Sequence, residues 1–324
     1  MRSTGGSMEH VPVTGQGHVG VCYGHAVAQM IDAFRFSHAT PVGDVNYAHL
    51  SSPMEIAADG MFRTGADGDF DDGSRELCPI AETAIRRGTC SDRRIHDLYS
   101  NREASELNTA FSDAYYDFQR YVEARHSVMG LEQLQAEAER RGERLRCELS
   151  GLSANMAAML VPTGRAMGVL LQEPSYNQAM TGLLSRVCSG RARHHVDNRI
   201  HCAEGPRNNG QAEMAEVHRL LSQPNPQPVA LKICQNFLSE GSSYVGLTAT
   251  GAFTPSCDKH YLLVIGRRMH NGKCQLLLRN SHGDDDDDNY SKEWEPHHGN
   301  IWVDESALGH NTQRVFTLTG PAEH

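Results

Sequence analysis

Apolar positions at Val27, Met30, Ile31 and Phe34 recur three and four residues apart, directly after the run Gln16-Gly17-His18-Val19-Gly20-Val21-Cys22-Tyr23. That spacing lines one face of a helix, so a helix is predicted to begin at Cys22. A second helix is predicted over Ser51 to Ala58, with Pro53 near its first position and a serine available as N-cap. Pro79 to Arg87 predicts a third, closed by Gly88, with Arg86 and Arg87 suiting its negative end. The stretch Gly65 to Gly73 between them is rich in glycine and aspartate and reads as a loop. Glu103 to Leu149 is charged and rich in Ala, Leu, Glu and Arg at helical periodicity, which predicts two or three helices broken near Met129-Gly130 and Arg141-Gly142. Val187 to Gly205 is basic and histidine-rich and reads as a loop.

The pattern changes in the last third. After a short helix over Gln211 to Leu221, stopped by Pro224, Pro226 and Pro228, the apolar runs shorten. Val229–Ile233, Tyr261–Ile265, Gln275–Leu278, Asn300–Val303 and Arg314–Leu318 suit strands separated by turn residues. Helices first and strands later predict an α+β protein with a helical part over 16–90, a helical middle over 91–205 and a β-rich part over 206–324. The 324 residues carry 39% hydrophobic and 22% charged side chains, ordinary for a globular chain with a sizeable core. A net charge of −10 and 6% aromatics argue against nucleic acid and anionic membrane surfaces as partners. No apolar run is long enough to span a bilayer. Met1 to His10 lack the apolar core of a secretory signal, which predicts a cytoplasmic setting or export by another route. With that reading, the nine cysteines are expected to be free thiols.

Chemistry concentrates at four residues. Cys22 opens a helix, where the macrodipole favours a thiolate and is expected to lower the thiol pKa. His260 stands at the mouth of the apolar strand Tyr261-Leu262-Leu263-Val264-Ile265. Asn280 ends the next strand, in Leu278-Arg279-Asn280-Ser281-His282-Gly283. A hairpin turn at Asn271-Gly272 would bring His260 and Asn280 to one edge, where the amide can fix the imidazole tautomer. Gln16 lies six residues before the cysteine, within reach of the sulfur.

These segments together resemble the papain-like cysteine peptidases. Gln16 to Tyr23 resembles their nucleophile segment, His260 before Leu262 to Gly266 their histidine strand, and Arg279-Asn280-Ser281 with Gly283 their asparagine motif. Gln227-Pro228-Val229-Ala230 resembles the segment that opens their second lobe. The resemblance spans Gln16 to Gly88 and Gln211 to Leu318, and leaves 91–205 as a helical insertion with no counterpart. It implies a two-lobe fold within a single catalytic domain, with a helical left lobe carrying the nucleophile helix and an antiparallel β-barrel-like right lobe. It also implies a cysteine endopeptidase that cleaves peptide or protein substrates through a thioester acyl-enzyme, with no metal or other cofactor. Cys22 would be the nucleophile, His260 the base and then the acid, and Asn280 its orienter. Gln16 and the Cys22 backbone N–H would form the oxyanion hole, and Gly73 would bind substrate backbone. The same triad could instead transfer acyl groups or deamidate glutamine, or the cleft could be a degenerate peptide-binding module. An effector delivered by a dedicated secretion system also fits, as does a protein partner for the insertion.

The sequence departs from the family at three places. Val19 stands where relatives usually carry a disulfide-bonded cysteine, Tyr23 replaces the tryptophan after the nucleophile, and His282 replaces the tryptophan that covers the asparagine. His25, one turn after Cys22, reads as an alternative base or as a packed core histidine. Asp284 to Asp288 reads as a solvated acidic loop rather than a calcium site, since consecutive aspartates cannot all face one ion. His194, His195, Asp197, His201 and Cys202 are zinc-ligand types at loose spacing, and with Arg191, Arg193 and Arg199 nearby they read first as a charged surface.

Overall fold

The structure is a computed structural model that describes residues 1, 6–15, 21–38, 50–64, 76–90, 102–125, 129–152, 164–188, 193–196, 199–282 and 290–320. Helices α1 (Cys22–His38), α2 (Pro53–Thr64) and α3 (Leu77–Arg87) come first. Strand β1 (Thr89–Cys90) and helices α4 (Arg102–Arg125), α5 (Leu131–Leu152), α6 (Gly164–Leu171) and α7 (Tyr176–Val187) follow. Then come β2 (Arg193–His194), β3 (His201–Arg207), α8 (Gln211–Leu221), β4 (Val229–Cys234) and α9 (Asn236–Glu240). The chain continues through β5 (Lys259–His270), β6 (Lys273–Arg279), β7 (Glu295–Pro296), β8 (Asn300–Asp304), α10 (Glu305–Gly309) and β9 (Thr312–Thr319).

The predicted mixed α and β architecture is present. Seven strands form one antiparallel sheet in the order β3-β9-β4-β5-β6-β8-β7. Its end strands β3 and β7 do not pair with each other, so the sheet is open and the expected barrel-like closure is absent among the described residues. The strands bury both faces, with alternate residues entering different cores. Ala230, Tyr261, Leu263, Ile265, Phe316 and Leu318 join α1 to α7 in one core. Leu231, Ile233, Leu262, Val264, Leu276 and Val315 join α8, α9 and α10 in the other. The β5–β6 hairpin turns where the sequence places it, at Asn271 (φ 49°) and Gly272 (φ 76°), the left-handed pair that a two-residue hairpin requires.

Helix α1 is buried from Cys22 through Phe34, which is why its sequence is apolar on more than one face. It packs on α2, α3 and β5. Its buried Asp32 is satisfied, accepting the Ser51 N–H at 2.9 Å and the Ser51 hydroxyl at 2.7 Å. Ser52 caps α2 as predicted, its Oγ accepting the Glu55 N–H at 3.3 Å.

Three expectations about the middle and the cysteines are overturned. The chain does not break at Arg141-Gly142; α5 runs straight through. Gly142 is there because α6 crosses on top of it, and an added Cβ would collide with the backbone of Gly164 and Gly168. The stretch Val187 to Gly205 is not all loop, because it ends α7 and contributes β2 and β3 to sheets. The cysteines are not all free: Cys78–Cys202, Cys90–Cys188 and Cys234–Cys257 are disulfides, and Cys22, Cys147 and Cys274 are thiols. The first two pairs join residues 124 and 98 positions apart, a separation that cysteine spacing along the chain cannot reveal.

Candidate active site

Cys22 is the first residue of α1, and Val21 caps it by accepting the N–H groups of Gly24 and His25. The thiol lies against the start of β5, where the Tyr261 backbone N–H points at the sulfur. His260 immediately precedes that residue, so the fold brings the cysteine and the histidine-bearing rim of β5 together. Cys22, His260 and Asn280 are all nearly inaccessible, at 2%, 2% and 3% exposure.

Asn280 follows β6, and its Oδ1 lies 2.7 Å from His260 Nε2. The same oxygen accepts the Ser281 backbone N–H at 2.8 Å, while Asn280 Nδ2 donates to the Tyr290 hydroxyl at 3.0 Å. A backbone N–H can only donate, so the atom facing it must be the amide oxygen. His260 Nε2 must then carry the proton in that bond. Nδ1 is left as the basic nitrogen, the tautomer a general base needs. The His282 ring stands edge-on to His260 with centroids 5.3 Å apart, alongside the short His260–Asn280 bond.

A polar web anchors the segment ahead of α1. Thr14 Oγ1 lies 2.8 Å from His25 Nδ1 and accepts from Gln29 Nε2 at 3.2 Å. Arg279 Nη1 donates to the Val11 carbonyl at 3.2 Å, and Gly15 bridges His282. His25 is therefore a packed, hydrogen-bonded core residue. Gln16 and Gly73 lie outside the described residues, as do Gly65–Gly73 and Asp284–Asp288. The zinc reading of the histidine-rich stretch fails for Cys202, which is bonded to Cys78.

The electrostatics run against the expected helix-end effect. Burial pushes the Cys22 thiol up to about 12, and the charge of Asp258 adds to that rise. The backbone N–H groups of Tyr261 and Tyr23 oppose the shift without cancelling it. Burial also pulls His260 down to about 3, helped by His282, while the Asn280 bond works the other way. Desolvation of both groups outweighs the helix-end effect and favours the neutral thiol and the neutral imidazole. Asp258 and Tyr290 are site residues that sequence reasoning missed. Asp258 is fixed by the hydrogen bond from its N–H to Asn236 Oδ1 at 2.7 Å, next to the Cys234–Cys257 bond. Tyr290 reaches Asn280 from beyond the aspartate run, and no spacing signal links the two.

No protein-family model and no curated protein matches this sequence. Among solved structures, a chain from work on antibody cross-reactivity between the mite allergens Blo t 1 and Der p 1 aligns with 95% of this chain and 67% of its own, at 13% identity and a TM-score of 0.48. PepW from Lactobacillus rhamnosis aligns with 94% of this chain and 79% of its own, at 11% identity and a TM-score of 0.39. No described helix is long and apolar enough to cross a membrane.

Proposed function

We propose that the protein is a cysteine peptidase of papain-like type, cleaving peptide bonds with Cys22 as nucleophile, His260 as base and acid, and Asn280 as orienter. The observation that carries this reading is the 2.7 Å contact between His260 Nε2 and Asn280 Oδ1 on the strand rim that packs against Cys22. In the reaction, His260 Nδ1 takes the thiol proton as sulfur attacks the substrate carbonyl carbon, and the carbonyl π pair moves to oxygen. Gln16 and the Cys22 N–H would stabilise that oxyanion. Collapse expels the amine, which takes the proton back from His260 and leaves a thioester. Water, deprotonated by the same imidazole, then releases the acid and regenerates the thiol. The disulfides favour maturation in an oxidising compartment.

The test is labelling of the intact chain by an epoxysuccinyl or vinyl-sulfone probe. Mass spectrometry should place the adduct on Cys22, and Cys22→Ala should abolish it. A second reading is favoured by one observation, the burial of a neutral Cys22 thiol at 2% exposure. In that reading the protein is a catalytically idle relative that binds peptides. A folded native protein that takes no label and cleaves no peptide, yet binds one, would establish it.

A further inference from the structure

Three metal-ligating side chains from three elements converge on the face of the sheet away from α1. His218 comes from α8, Cys274 from β6 and Glu305 from the first position of α10. His218 Nε2 lies 2.9 Å from a Glu305 carboxylate oxygen and 3.9 Å from Cys274 Sγ, and the three ligand atoms lie within 4.8 Å of one another. Around a tetrahedral zinc ion, with metal–N and metal–O bonds near 2.0–2.2 Å and metal–S near 2.3 Å, ligand atoms sit about 3.3–3.6 Å apart. The two measured edges straddle that spacing, so small side-chain rotations close the set.

The cluster is not a second nucleophile–base pair. A relay needs the nucleophile and the orienting acid on opposite ring nitrogens. Here the thiol and the carboxylate share Nε2, while Arg267 Nη1 lies 3.3 Å from Nδ1. Two groups aimed at one nitrogen mark a point in space that all three could share. His218 and Glu305 also line a cleft of about 1010 Å³ with Asn208, Met214, Leu247 and His310, which gives that point an open side.

We propose that His218, Cys274 and Glu305 form a binding site for a single zinc-type divalent cation, with a fourth coordination position facing this cleft. The mixed N, S and O set selects a borderline metal over calcium or magnesium, which take oxygen ligands throughout. On binding, the Cys274 S–H bond is replaced by an S–metal bond and its proton leaves to solvent. The Nε2 proton of His218 moves to Nδ1 through solvent, and the exposed Arg267 side chain turns outward from that nitrogen. The metal would clamp α8, β6 and α10 together, independently of the chemistry proposed at Cys22.

The experiment uses the full chain with its disulfides intact, in a Cys22→Ala background that removes the buried thiol of the candidate active site. Titration of Zn²⁺ against a chromophoric chelator should give one equivalent bound. Co²⁺ should give the thiolate-to-cobalt charge-transfer band in the near ultraviolet. Cys274→Ser should abolish the band, His218→Ala and Glu305→Gln should each weaken binding more than tenfold, and Cys147→Ser should change neither readout. Absence of stoichiometric binding by the folded protein, or a band that survives Cys274→Ser, would overturn the assignment.

Discussion

The sheet and the helical middle are held together by different means. The sheet is fixed by a continuous antiparallel ladder from β3 to β7, and the cross-link within its half of the chain, Cys234–Cys257, closes a separation of only 23 residues. Among its described residues before β3, the middle has only the two-residue pairing of β2 with β1. Its last helix, α7, is followed by Cys188, which is bonded to Cys90, and Cys202 in β3 is bonded to Cys78 in α3. Hydrogen-bond register therefore locates the groups at the rim of β5 and β6, where sub-ångström placement matters. Covalent ties anchor α3 and the end of α7, while α5, whose outer face carries pairs such as Glu137 with Arg140 and Glu143 with Arg146, is located by its close crossing with α6. Such exposed pairs contribute little to stability and leave the surface free to vary.

The sharpest way to break this comparison is to cut one tie. Replacing both Cys90 and Cys188 by alanine should cost roughly 2–5 kcal/mol, as for loss of a native disulfide closing a long loop. The loss should fall on the helices alone. Both tryptophans of the chain, Trp294 and Trp302, belong to the sheet half, so their fluorescence reports the sheet while far-ultraviolet circular dichroism reports mostly helix. In the variant, the dichroism midpoint in denaturant should move to lower concentration and the fluorescence midpoint should stay. Coincident shifts would mean that the two regions unfold as one unit.

A pH series acts where α1 meets the sheet, on Cys22 and His260. His260 is held near 3, below its ordinary 6.5, so the unfolded chain binds a proton that the folded chain refuses between those values. Stability should therefore fall as pH drops from about 6.5 towards 3, by on the order of a few kcal/mol. Cys22 is held near 12, above its ordinary 9.0, so the unfolded chain loses a proton first and stability should fall as pH rises from 9 towards 12. His260→Gln should flatten the acid limb and Cys22→Ala the alkaline one. Unchanged limbs in both variants would show that other groups carry the dependence.

What the sequence revealed divides along the same line. The central strands β4, β5, β6, β8 and β9 were legible because short apolar runs between turn residues have few alternatives, whereas the edge strands β3 and β7 carry no such run; Asn271-Gly272 names its own turn. His260 and Asn280 were legible because each sits at the end of such a run. The disulfides were not, since pairing depends on tertiary approach rather than spacing. Gly142 was misread because glycine marks a break and a close helix crossing with the same letter. The direction of the Cys22 shift was missed for a related reason: a helix start is visible in sequence, but the depth of its burial is not.

That crossing gives a smaller test in the middle. Gly168 in α6 lies so close to α5 that an added Cβ would stand 2.6 Å from the Ala138 carbonyl oxygen. Gly168→Ala should cost about 1–3 kcal/mol through overpacking, more than the roughly 1 kcal/mol that helix propensity returns. The dichroism midpoint should move again without the fluorescence midpoint. A stabilised variant would mean that α5 and α6 can separate freely.

The smallest expected effect returns to the sheet half and asks how far its backbone alone orients the site. Asn280 Oδ1 is fixed by the Ser281 N–H, whereas Nδ2 depends on the Tyr290 hydroxyl. Tyr290→Phe removes that acceptor and keeps the ring. One neutral hydrogen bond contributes about 0.5–1.5 kcal/mol, which sets both the stability loss and an upper limit of about tenfold on kcat. If register locates the site as argued, kcat should fall only a few-fold with KM unchanged, because Ser281 still aims the oxygen at His260. A collapse of kcat comparable to that of Asn280→Ala would show that the side-chain bond, not the ladder, holds the asparagine in place.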